Sequence, residues 1–380
     1  MNNATAPKTV SFSGEELLKL RERGASKKLL DALRIEAEGH MKAPLYAVTE
    51  RMMKAASGNP HDYSSIGTYW WPNPDTPDGL PYVRRDGEVT PAALDPISYD
   101  KMAAMALELA LAAFYFENEE YGRAAERILY AWHLDPETYM TPHAEYSQAI
   151  PGICSGRGIG IIDFTMRSYR VFDAVGILDY LGYISKENVE GLKAWYTEFT
   201  DWMLTSEMGL TEDTEPNNHG MYFDVHVLSA AMFTGREALV KKICETAYSR
   251  RIAQNVNADG SQPLELARTM AMIYSISNIR AMLLISNMAD ASGYSEYFGV
   301  DKKYGDNPIK KAVDFIYPYY LKPETFPYPE MCYDKSHIRM HEVLVKLDAH
   351  FPGYGYKEKA DAIIAEHCDK LFTHMLYPAK

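Results

Sequence analysis

Apolar residues recur with the 3.6-residue period of an amphipathic helix along most of the chain, and no stretch of comparable length alternates as a strand would. The pattern predicts helices over 15–38, 43–56, 99–116, 120–132, 159–181, 186–208, 219–233, 236–256, 264–288, 308–320, 336–349 and 357–375. Turns such as Phe233-Thr234-Gly235 are short enough to join neighbours as antiparallel pairs. The expected fold is therefore all-α, an (α/α) toroid of six to seven helical hairpins in one domain spanning 1–380. No sequence repeat of the kind that marks an α-solenoid is present.

Two polar, Pro- and Gly-rich loops interrupt the helical period, near 58–96 and 135–158. Loops of that length on a helical frame commonly line binding sites. The first carries Tyr69, Trp70 and Trp71 ahead of Pro72-Asn73-Pro74-Asp75, aromatic rings suited to stacking on sugar faces. The second carries Gln148, Pro151-Gly152 and Gly156-Arg157-Gly158. Its glycines are expected to allow close backbone approach to a ligand, and Arg157 offers a planar donor fork for a carboxylate.

Composition narrows the partners. A formal net charge of -13 argues against nucleic acid, whose phosphates call for a basic surface. An anionic sugar polymer needs only a locally positive cleft, for which Arg157, Arg167, Arg170, Arg268 and Arg280 are candidates. The 28 tyrosines against 13 phenylalanines favour surfaces that combine ring area with a hydroxyl, as a polar groove would. Cys154, Cys244, Cys332 and Cys368 lie far apart, so neither a disulfide framework nor a zinc motif is expected. Residues 1–15 lack the apolar core of a signal peptide and no segment is long enough to span a membrane. The expected location is cytoplasmic, or periplasmic or secreted if an export signal has been removed.

The run Asn217-Asn218-His219-Gly220 follows a polar approach ending in Pro216 and precedes a mostly apolar stretch, which places Asn218 and His219 near a helix N-terminus. Free N–H groups there favour negative charge. Tyr222 and His226 follow on the same predicted helix and are counted with Tyr69, Trp70, Trp71, Gln148 and Arg157 as candidate substrate-binding residues. Further on, Gly260 and Pro263 mark a helix entrance, with Arg268 on the apolar helix that follows. A guanidinium there needs a partner, whether Glu265, Glu108 or a substrate carboxylate. Tyr274, six positions later, would stand about 120° round an ideal helix from Arg268.

Taken together, the 69–75 loop, Gln148 with Pro151-Gly152 and Gly156-Arg157-Gly158-Ile159-Gly160, the Asn217–Gly220 run, and the segment from Pro263-Leu264-Glu265 through Arg268 to Tyr274 resemble the alginate-lyase-like polysaccharide lyases. The resemblance implies an (α/α) toroid and catalytic roles for Asn218, His219, Arg268 and Tyr274. Where the better-known bacterial alginate lyases place a tyrosine seven positions after the arginine, this chain has Ser275. Tyr274 resembles instead a sister branch acting on mannuronan or glucuronan.

The chemistry such residues support is β-elimination from a β-1,4-linked uronate polymer. C5 must lose a weakly acidic proton, the carboxylate must be neutralised while charge develops on it, and the C4 oxygen must leave. Asn218 and Arg268 suit the neutralising role, Tyr274 the proton transfer to O4, and Tyr274 or His219 the base. A tyrosine with an ordinary pKa of about 10 needs a nearby cation to act as base, whereas a histidine at about 6.5 needs little adjustment. In mannuronate and glucuronate H5 and O4 share a face of the sugar, so one group can serve both. In guluronate they do not. The geometry favours mannuronate or glucuronate without deciding between them; the resemblance implies polymannuronate or alginate as the substrate, with glucuronan as the alternative, and no metal or other cofactor is required. A toroidal glycoside hydrolase using two of Asp163, Asp213, Glu215 and Asp224 is a further alternative. His219 with His226, and His337 with His341, have spacings open to metal ligation. Packing is the simpler reading of His226, and surface or cap roles that of His337 and His341.

Overall fold

The structure, a computed structural model, describes residues 5–44, 46–294, 307–331, 333 and 336–367. Its first helices are α1 (Gly14–Arg23), α2 (Lys27–Met41), α3 (Tyr99–Phe116), α4 (Glu119–His133), α5 (Ile162–Thr165), α6 (Ser168–Leu181), α7 (Lys186–Thr205) and α8 (Glu207–Thr214). After these come α9 (Asn218–Thr234), α10 (Glu237–Ala247), α11 (Ala253–Asn255), α12 (Pro263–Leu266), α13 (Ala271–Ala291), α14 (Pro308–Leu321), α15 (Ser336–His350) and α16 (Tyr356–His367). The all-α expectation holds: this is a multi-helix fold with no closed sheet among the described residues, consistent with the (α/α) toroid class. No described helix is long and apolar enough to cross a membrane.

Several expected boundaries move, each for a local reason. The helix expected over 15–38 breaks at Gly24, whose φ of 82° ends α1 on a glycine cap. The helix expected over 43–56 is absent apart from a 3₁₀ turn at Val48–Glu50. The one expected over 236–256 contains a π turn at Tyr248–Ile252 between α10 and α11. The single helix expected over 264–288 is two, α12 and α13, with Arg268 in the corner between them. The expected 357–375 helix is seen as α16, and its remainder lies outside the described residues, as do Cys332 and Cys368. Cys154 and Cys244 are free thiols.

The chain divides into two compact units. The first comprises Ala37–Glu215 with Phe233–Gly235. Here α3 packs against both α4 and α6, burying Tyr99, Trp132, Phe164, Tyr196 and Phe199. Tyrosine hydroxyls are paired inside this core. Tyr99 and Tyr196 share a 2.6 Å hydrogen bond, and His133 Nε2 lies 2.9 Å from the Tyr196 hydroxyl. Burial pulls the His133 imidazole down to about 3, so it sits neutral in the core. These tyrosines serve packing.

The two long loops belong to this unit and are bound to each other. Strand β1 (Ser64–Ile66) pairs in parallel with β4 (Tyr146–Ala149), while β2 (Trp70–Trp71) and β3 (Val83–Arg84) form an antiparallel ribbon within the first loop. Gly67 N–H donates to Ala149 O at 2.9 Å and Tyr82 N–H to Pro151 O at 3.0 Å. Gly156 corrects the expectation that the loop glycines admit a ligand, because a Cβ there would stand 1.9 Å from Glu145 O. It admits the loop's own backbone.

The second unit comprises Ala4–Glu36, Pro216–Met232 and Arg236–Lys380. Its central helix is α13, buried on nearly every side and packed against α10, α12, α14 and α15. A helix that is apolar all round shows little amphipathic contrast and belongs inside. The α13 N-terminus is capped from a distance. Glu330 accepts from the backbone N–H of Met272 (2.9 Å) and of Ile273 (3.1 Å), and Ala271 N–H donates to Pro329 O at 3.0 Å. A carboxylate at this end satisfies orphan donors and matches the helix dipole. We expect Glu330→Ala to destabilise the protein by about 1 kcal/mol, as loss of an N-cap does, and Glu330→Gln by less. Thermal unfolding of the three proteins checks this, and equal midpoints would refute it.

Candidate active site

In the second unit, Asn218 opens α9 and His219 follows it, as the sequence pattern predicts. The Asn217 side-chain oxygen accepts from His219 N–H at 2.9 Å, the bond that starts such a helix. What the sequence does not reveal is the occupant of that helix end. The Asn218 backbone N–H donates to Glu265 Oε1 at 2.8 Å, and its side-chain Nδ2 donates to Glu265 Oε2 at 2.7 Å. The anion expected there from a ligand is supplied by the protein itself. Asn218 is 3% exposed and Glu265 1%. Burial pushes the Glu265 carboxyl above the usual range, against the opposing pull of the two Asn218 donors and of His219 and Arg268 nearby.

The corner between α12 and α13 resolves the geometry of Arg268 and Tyr274. On one continuous helix the two would diverge. With the helix broken at 267–270, the guanidinium folds back over the tyrosine, its carbon 4.4 Å from the ring centroid. Its Nη2 lies 3.4 Å from the Tyr274 hydroxyl. Both side chains are half-buried, as is His219. Asn218 thus sits on the Glu265 carboxylate, His219 and Arg268 lie near enough to act on its charge, and Arg268 carries the group on to Tyr274. Glu108, weighed as another partner for Arg268, instead faces His40 Nε2 at 2.6 Å.

Tyr222 and His226 lie further along α9 and are fully buried. The Tyr222 hydroxyl donates to Ser277 O at 2.9 Å, and burial pulls His226 down to about 3, leaving it neutral. These are packing environments. Asp224 is clasped by Arg250 and Arg251, and Arg280 is taken by Glu342 (2.5 Å), which also holds Lys346 (2.8 Å). Arg280 is therefore part of a buried ion triad, in place of the cleft role considered for it. His341 is also buried, at 1% exposure, which excludes the surface half of the surface-or-cap role expected, whereas the His337 ring meets the Tyr320 hydroxyl at 2.7 Å.

In the first unit, Gln148 and Arg157 are brought together. Arg157 donates through Nη2 to Gln148 Oε1 (2.7 Å) and through Nε to Gln148 O (3.0 Å). Gln148 in turn donates Nε2 to Asp163 (2.9 Å) and its backbone N–H to Ser65 Oγ (2.8 Å). This network holds Gln148 at φ 50°, a left-handed conformation that a non-glycine residue keeps only where its surroundings enforce it. Asp163 also accepts from Ser65 and Tyr63, which makes it a structural hub. Arg167 and Arg170 both pair with Asp100.

Tyr69, Trp70 and Trp71 are half-buried. The Trp71 indole donates to Glu88 O at 2.9 Å, with the Arg85 guanidinium 5.1 Å from its ring. Trp70 and Arg157 both approach Gly67, where a Cβ would lie 2.6 Å from Trp70 and 3.1 Å from Arg157 Nη2. Gly67 thus lets a ring and a guanidinium meet over one backbone position.

Comparison with solved structures gives this arrangement a context. An alginate lyase from Bacteroides ovatus is 31% identical, with a TM-score of 0.89, and the match covers 98% of this chain and 100% of that one. An alginate lyase A1-III from Sphingomonas species A1 is 12% identical with a TM-score of 0.52, covering 87% of this chain and 91% of that one. A histidine-to-alanine variant of alginate lyase A1-III complexed with tetrasaccharide, also 12% identical, has a TM-score of 0.56 and covers 91% of this chain and 89% of that one. At that identity the latter two show a shared fold alone. The alginate lyase family model matches residues 47–326. None of the curated proteins compared matches. The chain belongs to the alginate lyase family. It is accordingly a polysaccharide lyase, and membership of a lyase family decides against the hydrolase alternative.

Sequence reasoning missed the parts played by Glu265 and Glu330. Glu265 carried a signal, an acidic residue just inside a helix that begins at Pro263, but its partner lies 47 positions upstream. Glu330 carried none, since its loop meets α13 only in the folded chain.

Proposed function

We propose that this lyase cleaves β-1,4-linked polymannuronate, alone or within alginate, by β-elimination, with Asn218, His219, Arg268 and Tyr274 as its working groups. The supporting observation is the seating of Arg268 on Tyr274, 4.4 Å from the ring and 3.4 Å from the hydroxyl. A cation so close to a phenolic oxygen favours the phenolate as a proton moves. The same guanidinium offers further N–H donors to a uronate carboxylate.

In this reading a base takes the C5 proton while Asn218 and Arg268 stabilise the enolate-like charge on the carboxylate. The C5–H electron pair becomes the C4–C5 double bond, the C4–O4 bond breaks, and Tyr274 delivers a proton to O4. His219 and Tyr274 are the two candidate bases. Donors whose contacts strengthen as charge develops lower the barrier without tightening the ground state. The Gln148–Arg157 pair and the rings of Tyr69, Trp70 and Trp71 are candidate sugar-binding groups of the first unit. The loops that carry them are candidates for reading C2, where mannuronate and glucuronate differ.

The test is a panel of polymannuronate, polyguluronate, mixed alginate, glucuronan and a glycosaminoglycan, each followed by the ultraviolet absorbance of the conjugated C4–C5 double bond. Polymannuronate should be cleaved fastest and glucuronan next. Preference for glucuronan would change the substrate and keep the mechanism. Cleavage at guluronate alone would overturn both.

A further inference from the structure

We propose that Glu265 is a positioning residue for the elimination, fixing the orientation of the Asn218 carboxamide from behind. The inference rests on the role given to Asn218 above and extends it to a residue that need not touch substrate. One carboxylate accepts from both the backbone N–H (2.8 Å) and the side-chain Nδ2 (2.7 Å) of the same asparagine. That pair of bonds decides which end of the carboxamide is nitrogen, because a carboxylate can only accept. It also ties the side-chain rotation to the start of α9. One N–H of the amide is used, and the second is left at a fixed angle as the donor for a uronate carboxylate.

The surroundings make this a costly arrangement without a purpose of its own. A buried carboxylate is expensive to desolvate, and one that faces a site for an anionic sugar also repels it. His219 and Arg268 offset the charge, since both pull the Glu265 carboxyl toward ionisation. Glu265 thereby sets both the geometry of one working group and the charge beside two others.

The experiment is a cycle of Glu265→Gln, Asn218→Ala and the double variant, with kcat and KM measured on the best polymer of the panel across pH. Glutamine has nearly the same shape but carries a donor where the second acceptor was, so it can satisfy only one of the two Asn218 groups. We expect Glu265→Gln to lower kcat about 10-fold to 10²-fold, somewhat less than loss of a direct oxyanion donor, with KM changed far less. The double variant should be no slower than Asn218→Ala by more than about 3-fold, the mark of two residues in one network. A loss confined to kcat is the readout that a general loosening of the structure would not give.

Additive losses, or a Glu265→Gln enzyme as fast as the parent while Asn218→Ala is slow, would overturn the positioning role and leave the proposed function standing. An inert Asn218→Ala would instead remove the role of Asn218 and with it the ground for this inference. If Glu265→Gln does not fold, the parent protein still decides the question. Its Asn218 backbone amide, identified by nitrogen labelling, should resist hydrogen exchange, and exchange as fast as that of an exposed loop amide would refute the clamp.

Discussion

Tyr274→Phe should lower turnover by about 10²-fold to 10⁴-fold, the usual contribution of a positioned acid or base, while oligosaccharide binding changes only a few-fold. The substitution removes one oxygen and keeps the ring. The stack with Arg268, 4.4 Å from ring centroid to guanidinium carbon, can therefore persist, whereas the 3.4 Å contact to the hydroxyl cannot. The local backbone is held independently of that oxygen, since Glu330 caps α13 through Met272 and Ile273. Stopped assays of ultraviolet absorbance and calorimetric binding of a short uronate oligomer separate the two effects. A variant that eliminates at the parental rate would remove Tyr274 from the proton transfers.

Arg268→Ala should be almost as damaging, for a different reason. The guanidinium is the proposed counter-charge to the substrate carboxylate, and loss of one such donor costs about 3 kcal/mol, or roughly 10²-fold in kcat/KM. Most of the loss should fall on kcat, because charge on the carboxylate grows toward the transition state. Arg268→Lys should recover little of the lost rate. An ammonium keeps the charge but lacks the planar fork that lies over Tyr274 and can still present N–H groups to a carboxylate. Recovery by lysine to within a few-fold of the parent would reduce the role of Arg268 to a point charge.

How far the sequence foretells these features depends on the distance over which each interaction acts. The start of α9 at Asn218 is legible because Pro216, an asparagine cap and an apolar run are neighbours in the chain. Helix α3 emerges with the expected limits because Ser98 caps its start and, past Lys101, only Glu108 interrupts its apolar residues. The break between α12 and α13 is not legible. Residues 264–288 keep the apolar content of one buried helix, and the interruption follows from contacts made 58 positions away, where Glu330 fixes the beginning of α13. The same limit applies to the glycines and tyrosines. Composition shows that they are plentiful, but Gly156 meets Glu145 and the Tyr196 hydroxyl meets Tyr99, so both serve the protein's own packing. The arginines sort likewise: Arg280 could be placed in an ion triad only once Glu342 and Lys346 were seen beside it.

The pairing of β1 with β4 carries a lesson for any exchange of the two long loops. The strand bonds, the Gly67-to-Ala149 and Tyr82-to-Pro151 bonds, and the Ser65-to-Gln148 bond stitch the aromatic loop to the loop bearing Arg157. Transplanting one of these loops from a relative would leave its seam with the other unmatched. The unit of exchange is the pair, moved together as a cassette with residues 61–85 and 141–163 taken from a single donor.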